Sequence, residues 1–140
     1  MAITQTVCTS FKKELLEGVH NFTSHVFKIA LYTDASTLNA DTTVYITDNQ
    51  VASGNGYTTG GESLTAVAPS SADGVGFANF ADATWTSSSF TARGALIYNS
   101  SAGNKAVMVL DFGADKTSNN STFTVGMPAS TSTAALIRIT

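Results

Sequence analysis

The chain has 140 residues, a domain-sized length at which roughly two-thirds of the unfolded surface can be buried on folding, so one domain spanning 1–140 is predicted. Its formal net charge of −3, with five Lys and two Arg scattered along the sequence, argues against a nucleic-acid partner, because such partners are held by clustered cations. One cysteine, Cys8, excludes an intrachain disulfide framework and a cysteine-based zinc site.

Charged residues make up only 12% of the chain, about half the usual share of roughly 25%, while 37 residues are Ser or Thr. Hydroxyls therefore cover the faces where Lys and Glu ordinarily stand. Threonine is β-branched and fits a pleated surface, so the bias favours strands. A surface of low charge also avoids repulsion between densely packed copies.

The opening segment, residues 1–9, alternates Ile3 and Val7 with Thr and Gln. It reads either as an arm that adds to a neighbour's sheet or as a first strand on the protein's own sheet. It has no basic region followed by an apolar run, so synthesis in a cytoplasm without secretion is expected. No apolar run reaches the 18 or more residues needed to span a bilayer, so no membrane role is expected.

One short helix is predicted over 11–22, where Phe11, Leu15, Val19 and Phe22 form one apolar stripe. Thr9 or Ser10 can cap it. Lys12 and Lys13 oppose its dipole and Gly18 costs up to about 1 kcal/mol relative to Ala, so the helix needs a sheet to dock on.

From Val26 the period changes to two. Strands are predicted over 26–33, 43–47, 63–67, 75–80, 90–98, 106–112, 122–125 and 134–139. Turn chemistry separates them at 53–56, 60–61, 69–74, 99–104 and 116–120, where Gly and Asn tolerate positive φ. The loop-rich stretch 34–61 is expected to be mobile. About eight short strands with one short N-terminal helix predict a mainly β fold, an antiparallel two-sheet sandwich of jelly-roll-like type. The segments 93–98 and 106–112 predict a hairpin, with Arg93 paired to Asp111 or Asp82.

Catalytic residue types are nearly missing. The two histidines, His20 and His25, stand in no motif of nucleophilic catalysis, and no carboxylate at ligand spacing makes them a metal site. Asp111-Phe112-Gly113 matches a kinase magnesium triplet, but the chain is too short for a kinase and the triplet reads as a strand end in a Gly turn. The glycines from Gly54 to Gly61 lack the Lys-Ser/Thr ending of a phosphate loop. No catalytic residue, cofactor or metal is expected, which makes the chain a structural or binding protein rather than an enzyme. The candidate partner contacts are Ile3 and Val7 on the N-terminal arm, together with Tyr57 and Trp85. Trp85 reads either as a core anchor or as an exposed platform for stacking a sugar.

Several stretches carry a resemblance: Met1-Ala2-Ile3-Thr4-Gln5-Thr6, Ser10 to His20, Phe27-Lys28-Ile29-Ala30-Leu31-Tyr32-Thr33, Gly56-Tyr57-Thr58-Thr59-Gly60-Gly61, and Ala92 to Asn99. Together they resemble short virion-associated proteins of tailed bacteriophages. The resemblance implies a small jelly-roll decoration, or cement, protein on the capsid exterior. It would be a dimer or trimer that stabilises the head by bridging subunits of the major capsid protein. The competing expectation is a tail- or fibre-associated adsorption module that binds a host-surface glycan or protein through Trp85 and Tyr57.

Overall fold

The computed structural model describes residues 2–140. It is mainly β, with one α-helix and antiparallel sheets that do not close into a barrel. Strand β1 (Thr6–Val7) leads into helix α1 (Thr9–Leu16). Strands β2 (Phe27–Tyr32), β3 (Glu62–Ser63), β4 (Ala66–Ala72), β5 (Val75–Phe80), β6 (Ala83–Ser88), β7 (Thr91–Asn99), β8 (Lys105–Thr117), β9 (Ser121–Val125) and β10 (Ile137–Ile139) follow. They form a five-stranded sheet in the order β1-β8-β7-β2-β3, a three-stranded sheet β10-β5-β4, and a two-stranded ribbon β6-β9.

The predicted helix starts two residues earlier than 11–22 and stops six residues earlier. Its end is a Schellman motif: the Gly18 amide donates to the Leu15 carbonyl and the Val19 amide to the Glu14 carbonyl, with Gly18 at φ +74°. Gly18 is therefore a stop signal and not a penalty carried inside a longer helix. Phe11 and Phe22 still meet, at 6.1 Å between ring centroids, because the chain loops back after the cap. Phe22 then stacks on Phe27 of β2 at 4.6 Å, which docks the helix end on the sheet.

Strands β2 and β7 are buried on both faces over most of their length, so neither shows the half-polar alternation of a one-sided strand. The β7–β8 hairpin forms as expected, closed by a single 3-10 turn (Ser100–Ala102) and by Gly103 and Asn104, both at positive φ. Strand β5 matches its predicted bounds, and β9 differs by one residue.

Four other expectations are corrected. Residues 43–47 give only a single bridge, Val44 to Lys105, laid along the edge of β8. The stretch 69–74 is not one turn: Pro69 sits at a bulge inside β4, where a missing N–H is tolerated, and the turn is Asp73-Gly74 alone. Strand β8 runs five residues past Phe112, and the Gly113 amide donates to the Asp111 carboxylate at 2.9 Å within the strand, so the Asp-Phe-Gly triplet does not end it. Strand β6 was not foreseen. Its inward positions are Ala83, Trp85 and Ser88, and buried Ser88 keeps its hydroxyl satisfied by donating to the Ser121 carbonyl at 2.8 Å.

Side chains from all three sheets and the helix meet in one core. Its two aromatic centres are Phe11, Phe22, Phe27 and Phe80 near the helix, and Tyr57, Trp85, Phe90 and Phe123 at the other group of strands. The stretch 34–61, expected to be mobile, is tied to this core. The Tyr32 hydroxyl donates to the Ile46 carbonyl at 2.6 Å, Tyr98 to the Gly60 carbonyl at 2.7 Å, and Tyr57 to Gln50 Oε1 at 2.7 Å. The loop's return to β2 needs glycine at position 61, at φ +79°, since an added Cβ would overlap the Ile29 carbonyl.

Candidate interaction surface

Strands β8 and β9 leave one short turn, Ser118 to Asn120, as the two arms of a hairpin. Neither arm pairs with the other: β8 pairs with β1 and β7, and β9 with β6. Between the arms lies an open groove of about 800 Å³. Leu110 and Phe112 line it from β8, Phe123 and Val125 from β9, and Met127 and Leu136 from the C-terminal segment. Phe112 and Phe123 approach at 6.2 Å between ring centroids. The volume falls within the roughly 300–1,000 Å³ of ligand sites, but no titratable cluster faces it.

A second apolar surface shares no residue with the groove. Leu15, Phe22, Pro69, Phe77, Ile137 and Ile139 line a recess of about 230 Å³ on the three-stranded sheet and the helix end. Ile139 within it is 59% exposed, and Leu16, the chain neighbour of Leu15, is 91% exposed. Large apolar side chains this open mark a contact surface when they are contiguous.

Gln5, Lys116 and the hydroxyls of Thr117, Ser118, Ser121, Thr122 and Thr124 also line the groove; the buried polar cluster sits elsewhere and is largely hydrogen-bonded. Buried Asn99 donates through Nδ2 to His20 Nδ1 at 3.0 Å and to His25 Nδ1 at 2.9 Å, and its Oδ1 accepts from the Ser101 amide at 3.0 Å. With Asn99 as the donor, the Nδ1 atoms accept, and the His20 Nε2–H donates a hydrogen bond to Glu14 Oε1 at 2.9 Å. The His20 ring also lies 4.8 Å from Phe11 between centroids. Both of its nitrogens are thus occupied. The cluster fastens the 17–26 loop and the 3-10 turn onto the sheet. His20 itself lies beyond the helix, two residues past Gly18, and not on it. Among the described residues, no group of three or more His, Cys, Asp or Glu could hold a metal ion.

Arg93 Nε donates to Asp111 Oδ1 at 3.2 Å, as expected for the hairpin, whereas Asp82 accepts from the Met127 amide instead. The Gly113 amide and then the Arg93 side chain hold the Asp111 carboxyl below its ordinary range. Its contribution to stability is therefore present above the ordinary carboxylate pKa and is lost as pH falls through the lowered value. Both side chains are about 30% exposed. Arg93→Ala should consequently cost no more than about 1 kcal/mol in denaturant melts, and Asp111→Ala more, because it also frees the Gly113 amide.

The four predicted contact residues are not brought together. Tyr57 and Trp85 stack within the core at 6.3 Å between ring centroids, and both are buried. An exposed sugar platform at Trp85 is thereby corrected to a core anchor, and Tyr57 is likewise no surface contact. Ile3 is also buried, against Gly94 of β7, and the Thr4 amide donates to the Leu38 carbonyl. Val7 pairs with Met108 of β8, so the opening segment is a strand of the protein's own sheet and not a free arm. The groove residues escaped the sequence reading because 110–125 looked like two ordinary strands. Nothing in the sequence signals the groove, because the failure of β8 and β9 to pair across their short turn is decided by the fold.

Burial pushes the Cys8 thiol up to about 11, with the Glu14 charge adding to the rise, so it is inert rather than a reactive thiolate. No helix among the described residues is long and apolar enough to cross a membrane. No family model matches the chain, and neither a curated protein nor a solved structure shows significant similarity to it.

Proposed function

We propose that this chain is a structural protein of a bacteriophage virion, a decoration protein that stabilises the head by bridging major capsid protein subunits as a dimer or trimer. The observation that carries this reading is a pair of surfaces with no residue in common, an apolar recess and a groove lined by apolar and, apart from Lys116, uncharged polar side chains, on a domain whose polar surface is mostly uncharged. A bridging protein needs two contact surfaces and little repulsion between crowded copies. Each neighbour it contacts then adds binding free energy to the folded, assembled state.

The same reading takes the fold as a jelly-roll-like sandwich, with the five-stranded sheet as one layer and the three-stranded sheet and the ribbon as the other. Contacts such as Phe27 of β2 with Phe80 of β5, at 5.5 Å between centroids, support that layering. No catalytic role is part of the reading. The tail-adsorption alternative loses support, since its named contacts Trp85 and Tyr57 are buried.

Immunogold electron microscopy of particles, with antibody against this chain, should decorate the head evenly. Label confined to the tail would overturn the proposal.

A further inference from the structure

The edge of β8 that faces away from β7 is satisfied along most of its length. The Tyr45 amide donates to the Asn104 carbonyl, the Ala106 amide to Thr43, and the Cys8 amide to Val107. Strand β1 covers Met108 and Val109, and the Gln5 side chain accepts from the Asp111 amide at 3.0 Å. Beyond Asp111 that edge has no strand beside it, but Phe112–Asp115 bulge out of register with β7 and the Gly113 amide is taken by Asp111; the regular bare edge is that of β9 away from β6, along Ser121–Val125. Both segments line the groove, and Phe112, Phe123 and Leu136 supply its apolar lining.

We infer that the groove is a slot for one extended strand of a partner protein, which pairs its backbone with the free edge of β9 and sets alternate apolar side chains on Phe112, Phe123 and Leu136. The backbone edge selects this occupant. A compact apolar ligand would fill the groove and leave the main-chain groups of 121–125 that point away from β6 without strand partners, whereas an extended chain meets both demands. The inference deepens the bridging reading and rests on it only for the donor, an extended segment of a neighbouring shell subunit.

The test needs no particle, so its failure is separable from that of the bridging reading. The probe is a soluble peptide of alternating valine and threonine with a lysine at each end, its binding to the full chain followed by fluorescence anisotropy. A second peptide carries the same side chains with alternate backbone amides N-methylated. The strand slot predicts that methylation, by removing two or more hydrogen bonds, weakens binding by about tenfold or more. Met127→Asp, at a partly exposed groove position, should weaken the unmethylated peptide to a similar degree while the far-ultraviolet spectrum stays unchanged. Equal binding of both peptides would reduce the groove to an apolar pocket and overturn the inference. Absence of binding at millimolar peptide would overturn it too, as would self-association of the chain that the peptide competes away.

Discussion

Above about pH 10 this protein is expected to unfold steeply, with tyrosinate appearing in step with loss of structure. Burial raises the hydroxyl pKa of Tyr98 to about 12 and pushes Tyr32 and Tyr57 further up still. In the unfolded chain the same groups ionise near their ordinary value of 10.0. Between these limits the unfolded state has released protons that the folded state retains. The tyrosine contribution is therefore intact below pH 10 and falls as pH rises, by up to about 1.4 kcal/mol per unit for each tyrosine. The three together remove about 4 kcal/mol by pH 11. Cys8 adds to the loss from pH 9 upward, since its folded value is also raised.

A domain of this size has about 5–15 kcal/mol in hand, so the loss is a large share of the total. The structural cause is specific. The Tyr32 and Tyr98 hydroxyls donate to carbonyls of the 44–61 stretch and hold it on the sheet, the Tyr57 hydroxyl donates to Gln50 within that stretch while accepting from the Leu31 amide of β2, and an ionised oxygen cannot donate. Circular dichroism and tyrosinate absorbance, followed together from pH 8 to pH 12, should trace one cooperative transition. Gradual ionisation of these tyrosines with the fold intact would contradict the assignment.

Trp85→Ala is expected to lower stability by about 3–5 kcal/mol, the range for removing a large buried aromatic side chain. The indole is enclosed by Tyr57, Phe90 and Phe123, with centroids between 6.0 and 6.4 Å, and joins the β6-β9 ribbon to the rest of the core. Its Nε1 has no acceptor. Trp85→Phe should accordingly cost much less, because it keeps an aromatic ring in place and removes a buried donor that nothing satisfies. Chemical denaturation of the two variants checks the difference. An alanine variant as stable as the parent would mean that the ring is not a core anchor.

Much of the local structure was written in the residues. The switch from a helical period to a period of two at Val26, the Gly-Asn turn at 103–104 and the apolar runs of β2, β5, β7 and β9 each led to an element close to where it is found. The ion pair of Arg93 with Asp111 was legible because both stand on the two strands of one hairpin. Where the reading erred, one residue had two local uses. Gly18 costs a helix stability inside it and ends one at its edge, and only the Schellman hydrogen bonds decide between them. Pro69 marks a turn or a bulge, and the partner strand β5 makes it a bulge. Trp85 and Tyr57 look the same in sequence whether exposed or buried, because burial depends on strands distant along the chain.

The sequence by itself determined a mainly β chain with one short helix, low charge and few groups suited to catalysis, because composition and period act over a few residues. The tertiary structure alone decided which edges stay open. Strand β9 pairs with β6 rather than with its neighbour β8, a choice made by the packing of Trp85 on Phe123 across the ribbon, and that choice leaves the groove between β8 and β9.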